Sequence, residues 1–162
     1  MNDETEHIRN AIDHALSGQG AHVGTKDLFQ GLGWKAAGMR PEAFPHSLFQ
    51  LLNHLNFWQD WVVEWLDGGN PKVPKHAAGG WPGRPRPTNA KEWQRAVRKF
   101  RSGLTRLARQ ASEADLLTER GKHSRLEMLQ AIASHNSYHA GQVVVLRRVL
   151  GKWPPLSGGL TW

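Results

Sequence analysis

The run from Ser124 to Leu150 constrains the fold more than any other part of the chain. Its apolar positions Met128, Ile132, Val143, Leu146 and Leu150 recur every three or four residues, the period of a helix with one buried face. His135 and His139 fall on that face, and Gln142 or Val143 continues it. Side chains four residues apart stack along one side of a helix, so two imidazoles at this spacing can bind a single metal ion together. Ser124 with Glu127 forms a capping box at the start, and Gly151 ends the run. A helix so patterned needs neighbours to cover it, which directs attention to the rest of the chain.

Three further runs have the same period. Ile8, Ala11, Ile12, Ala15 and Leu16 predict a first helix, with Asn2 or Asp3 as N-cap and Gly18 to Gly20 as its end. Ser47 and Gln50 form a capping box before Leu48, Leu51, Leu52, Leu55, Trp58, Val62, Trp65 and Leu66, which keep the period up to Gly68. Asn89 and Glu92 signal another start, and Trp93, Val97, Phe100, Leu104, Leu107 and Ala111 follow, with Arg95, Arg98, Lys99, Arg106 and Arg109 on the opposite face. Between these runs lie a connection holding a short helical piece over Lys26–Leu32, a Pro/Gly-rich loop over 68–88 and a polar turn around Asp115, Glu119 and Gly121. Trp81 is the residue expected to anchor the Pro/Gly-rich loop, and Trp162 is expected to pack the tail back on the bundle. With no strand pattern, the chain reads as all-α, a single domain over 1–162 built as a four-helix bundle with long crossover connections.

The absence of cysteine removes disulfides, thiolate nucleophiles and Cys-type zinc sites together, so any metal must be held by histidine and oxygen. No stretch is long and apolar enough to span a bilayer, and Met1 to Glu6 is acidic and polar; a cytoplasmic protein is the expectation. The net charge of +7 favours anionic partners without choosing among them.

A third ligand for the His135–His139 pair must come from another helix, and His54 is the best candidate, because it falls between Leu51 and Trp58 in the apolar stripe. Taken alone, such a histidine is more often a core residue bonded to a nearby oxygen. Three inward histidines in one bundle call for three separate explanations or a single shared one. Gln50, one turn before His54, and Gln142, three residues after His139, are candidate catalytic helpers, with buried amides that satisfy the core as the plainer reading. Tyr138 lies off the histidine face and is expected to pack on or cap a neighbouring helix. Trp58, Trp61 and Trp65 read mostly as core, with a dimer interface as the other reading. His7 and His14 sit among acidic residues on a polar face, and His22 and His46 carry no spacing signal.

Pro45-His46-Ser47, Asn53-His54-Leu55 before Phe57-Trp58, the His135 to Gln142 segment, and Leu150-Gly151 followed by Pro155 and Thr161-Trp162 resemble the DinB-like superfamily of metalloenzymes over nearly the whole chain. The resemblance implies a four-helix bundle with long crossovers, a homodimer, and one divalent transition metal, nickel or zinc, on His54, His135 and His139. It also implies a small-molecule substrate, with low-molecular-weight thiols as co-substrates of characterised relatives. A thiol-dependent S-transferase or a hydrolase is the leading reading. A non-catalytic metal or ligand sensor would use the same ligands. A nucleic-acid-binding module is the weaker alternative, since no aromatic residues interleave the basic face.

Overall fold

The computed structural model describes residues 3–113 and 115–158. Its helices are α1 (Asp3–Ser17), α2 (Trp34–Ala37), α3 (Leu48–Leu66), α4 (Ala90–Glu113) and α5 (Arg125–Val149). α1, α3, α4 and α5 are the four expected long helices. α2 is a single turn, and the piece predicted over Lys26–Leu32 reduces to a 3-10 turn at Thr25–Asp27. Asn2 and Trp162 lie outside the described residues, and Asp3 already belongs to α1. One short antiparallel pair not expected from the sequence, Glu119–Arg120 with His123–Ser124, turns at Gly121, whose φ of +67° suits glycine.

Two of the three predicted capping boxes form. Ser47 and Ser124 each accept a backbone hydrogen bond from the residue three positions on, and Gln50 and Glu127 return the bond to the cap backbone. At α4 only half of the box forms. Glu92 N–H donates to Asn89 Oδ1 at 3.0 Å, but the Glu92 carboxylate reaches one residue further back, to Thr88 N–H at 2.6 Å, and also accepts from Arg84. Arg84, then Thr88, holds that carboxyl down to about 2.

Helix direction explains the long loop. Asn56 bonds to the Ala96 carbonyl, Asp60 pairs with Lys99 and Asp67 with Arg106, so α3 and α4 run parallel. The chain leaving α3 must therefore travel back along a 19-residue helix, about 28 Å at 1.5 Å per residue, before α4 can begin. It does so as a strap along α3: the carbonyls of Gly80, Pro82 and Pro85 accept hydrogen bonds from His54, Gln50 and Ser47 respectively. α5 runs antiparallel to α3, with His135 beside His54 and Arg125 bonded to the Leu66 carbonyl. α1 closes the bundle against α4 and α5.

The core is not continuous. One apolar cluster gathers Leu48 to Leu55, Trp93, Phe100, Val143 and Leu146; the other gathers Ile12, Val62, Leu66, Leu107, Leu129 and Ile132. At intermediate positions along α3 and α5 the buried residues are polar: His54, Asn56, Gln59, Asn136 and His139. α4 contributes Gly103 here, where a side chain would run into the Gln59 amide. The buried face of α5 keeps Ile132, His139, Val143 and Leu146, as expected, and extends to one side of them. Leu129, Asn136, Ala140 and Arg147 are buried, while His135 and Met128 lie at its edge. Arg147, 2 % exposed, is satisfied by the carbonyls of Lys152, just beyond the helix, and of Leu28 and Gln30, which lie too far along the chain for helical periodicity to reveal.

Ser47 caps the helix that carries His54 and also anchors the strap through Pro85, so Ser47→Ala is expected to lower the unfolding free energy by about 1–2 kcal/mol. Urea denaturation followed by circular dichroism measures this, and an unchanged midpoint would show that neither contact contributes.

Candidate metal centre

Three side chains from two helices meet at the polar break in the core. His54 comes from α3, and His135 and His139 from successive turns of α5. His54 and His139 are buried and His135 half-buried, and one ligand atom from each lies within 4.8 Å of the others. The four-residue spacing and the third ligand expected from the sequence are thus brought together in one site.

Hydrogen bonds decide which nitrogens face the centre. A carbonyl oxygen can only accept, so the 2.8 Å contact from His54 Nδ1 to Gly80 O puts the proton on Nδ1 and leaves a lone pair on Nε2. His139 Nδ1 makes the same kind of bond to Gln142 Oε1 at 2.7 Å. His135 Nε2 lies 3.1 Å from His54 Nε2. Without an ion, His135 can donate a proton to His54 across that gap. The separation also fits an ion, since two nitrogens each bound at about 2.0–2.1 Å and roughly 90–110° apart lie about 3 Å from each other. Lone pairs with their opposite ring nitrogens held by oxygen acceptors are what imidazole ligands require, and this group can hold a metal ion.

The environment keeps the rings neutral. Burial, reinforced by His139 and His46 and opposed by the Gly80 carbonyl, pushes His54 down to about 4. Burial together with His139 and His54 brings His135 to about 4. Burial also lowers His139, against the pull of Gln142. No carboxylate of the described residues belongs to the cluster.

Aromatic rings wall the site. Trp81, in the strap, is sandwiched between His54, at a centroid distance of 3.8 Å and 8°, and His46, at 3.6 Å and 13°. Trp58 meets both His54 and His135 edge-on. Trp81 thus anchors the loop as expected, but directly on a candidate ligand. His46 had no spacing signal because its partner is 35 positions away in a loop. The hints in the sequence were its place beside the Ser47 cap and within the Pro45-His46-Ser47 step that carries part of the family resemblance.

The two helper glutamines separate. Gln50 is committed at both ends, accepting from Ser47 N–H at 3.1 Å and donating to Pro82 O at 3.3 Å, so it fastens the strap. Gln142 orients His139. Among the described residues Tyr138 caps no neighbouring helix; the residue is 67 % exposed, with its ring near His139. Trp58, Trp61 and Trp65 pack partly buried against the second apolar cluster. On the basic face of α4, Lys99, Arg106 and Arg109 are ion-paired with Asp60, Asp67 and Glu113. Among the described residues, no helix is long and apolar enough to cross a membrane.

Comparison with known proteins agrees with this geometry. The family described as the DinB superfamily matches residues 24–143, a span that includes His54, His135 and His139. No curated protein and no solved structure matches the chain.

The low imidazole pKa values make stability depend on pH. In the unfolded chain these rings titrate near 6.5, and in the folded metal-free chain His54 and His135 titrate near 4. Between those values the unfolded state binds more protons, so the stabilisation is complete above about pH 6.5 and is lost as the pH falls toward 4. The urea midpoint of metal-stripped protein is expected to drop across this window, and less steeply in His135→Phe. A midpoint level from pH 7 to pH 4 would contradict it.

Proposed function

The chain belongs to the DinB superfamily, and from that premise we propose that it is a metal-dependent enzyme, a thiol-dependent S-transferase or a hydrolase, in which a three-histidine centre activates a thiol or a water as nucleophile. One observation supports this above the others: three neutral imidazoles converge, two of them buried and one half-buried, and the two buried ones have their Nδ1 protons already committed to oxygen acceptors. Structural zinc sites are closed by four protein ligands, whereas three leave a position for a substrate. Nickel or zinc suits an all-imidazole donor set. A divalent ion held there supplies Lewis acidity, lowering the pKa of a protic ligand into the neutral range.

The chain's own residues do the remaining work. Gly80 O and Gln142 Oε1 fix the tautomers of His54 and His139, so the ring lone pairs need no reorganisation. Trp58 and Trp81 keep water from the flanks of the rings, and burial holds the rings unprotonated at neutral pH. With no carboxylate of the described residues in the cluster, the arrangement in which a neighbouring Glu acts as general base is missing there, which favours a nucleophile that ionises readily, such as a thiol. A thiol co-substrate is kept reduced in the cytoplasm, the compartment we assign. A small-molecule substrate is preferred to nucleic acid because ion pairs neutralise much of the basic face of α4. Assembly as a homodimer belongs to the same proposal.

Protein purified without a polyhistidine tag is expected to carry about one divalent transition metal per chain, strongly reduced in His54→Ala, His135→Ala and His139→Ala. Gln142→Leu is expected to weaken metal affinity about 10- to 100-fold in a chelator competition. Metal-loaded protein screened with common thiols and electrophilic acceptors should then show turnover that the histidine variants lack. Metal-free protein whose thermal unfolding is unmoved by added nickel or zinc would overturn the metal centre. Full metal loading without turnover of any thiol or ester acceptor would overturn the enzymatic part.

A further inference from the structure

A cleft of about 490 Å³ opens between the connection before α3 and the outer face of α5. Its walls are apolar, with Phe44 and Leu51 on one side, Val145 on the other and the exposed Tyr138 at the rim. Two polar side chains complete the lining, and each is tied to the histidine cluster. Gln142 accepts the Nδ1 proton of His139, and His46 lies against Trp81, which lies in turn against His54.

Both polar groups have unspent hydrogen-bonding capacity. His46 Nδ1 is buried and has no hydrogen-bond partner among the described residues. Gln142 commits its carbonyl oxygen to His139, so its NH₂ group remains able to donate elsewhere. Burial, and after it the charge of Arg40, which donates to the neighbouring Pro45 carbonyl, lowers the basicity of His46.

We propose that the cleft binds the non-reacting part of the substrate: a small, mostly apolar organic group carrying one acceptor, a carbonyl or carboxylate, that faces His46 and Gln142. The role as part of a substrate site rests on the metal-centre reading above. The volume falls within the range of about 300–1,000 Å³ for small-ligand sites, and an apolar lining with a few convergent polar groups is their usual composition. A second copy of the chain packed on α5 would also cover Tyr138 and Val145. A recess with a buried, unpaired ring nitrogen fits a small acceptor-bearing ligand that can enter it better than the backbone of a facing helix, whose carbonyls are committed to its own hydrogen bonds.

Gly141 gives a clean test. It lines the cleft with helical backbone, and a Cβ built on it meets nothing within 4 Å, so the helix accepts a side chain there and Gly141→Leu adds bulk at the cleft with a residue better suited to helix. Metal-loaded wild type and variant are titrated calorimetrically with phenylacetate and with acetate. Metal content, thermal unfolding and sedimentation are measured alongside. Phenylacetate is expected to bind wild type at least about tenfold more tightly than acetate, and Gly141→Leu to lose about tenfold for phenylacetate with metal content unchanged. Equal affinity for the two acids, or a variant that binds phenylacetate like wild type, would overturn the cleft. A Gly141→Leu chain that turns from dimer to monomer while keeping its phenylacetate affinity would assign this face to a second copy instead. Phenylacetate discrimination surviving in protein that takes up no metal would defeat the metal centre and leave the binding site standing.

Discussion

The hydrogen bond from His54 Nδ1 to the Gly80 carbonyl joins the topology of the bundle to its chemistry. It exists because α3 and α4 run parallel, so the chain between them must return along α3. The returning strap passes over the first turns of α3, and its carbonyls meet in succession the side chains that face it. At His54 that contact selects the tautomer and aims Nε2 at His135. Gly80 is close-fitting there: a Cβ would lie 3.2 Å from Trp58 Nε1 and 3.5 Å from His54 Nδ1. A loop that only had to cover distance has thereby become one wall of the site.

The site also depends on a deliberate break in the apolar core. Burying imidazoles and amides between two hydrocarbon clusters costs free energy that only hydrogen bonds or an ion can offset. His54 and His139 each find one acceptor, and Asn56 donates to Ala96 O. The rings answer the remaining cost by staying neutral, as their lowered pKa values show. Neutral imidazole is the ligand form, so at pH 7 an ion would displace few protons from this cluster.

Local information in the sequence carried much of this. Helical period, capping boxes at Ser47 and Ser124, and the spacing of His135 and His139 depend on residues within a turn or two of one another, and all of them appear in the structure. What could not be read depends on contacts between distant segments. Arg147 looks like a surface cation until the carbonyls of Leu28 and Gln30 are placed around it. Asn136 looks like the polar flank of a helix until the core is seen to break at its level. Glu92 obeyed its local signal only in part, because Arg84 in the strap and Thr88 drew its carboxylate one residue back. His46 and Trp81, 35 positions apart, gave no pattern, since their stacking follows from the path of the strap.

The composition of the ligand set also bears on what can approach it. Three imidazoles bring no negative charge, and no described carboxylate joins them. A divalent ion held there would keep its whole charge in a poorly solvated pocket flanked by tryptophan, where electrostatic interactions are stronger than in water. An Asp or Glu in the set would cancel part of that charge and weaken the demand for an anion. Its absence leaves neutralisation to whatever arrives, so an occupied site would favour ligands that can become anions. Selectivity among such ligands must then come from shape, and the apolar recess under Tyr138 is placed to supply it.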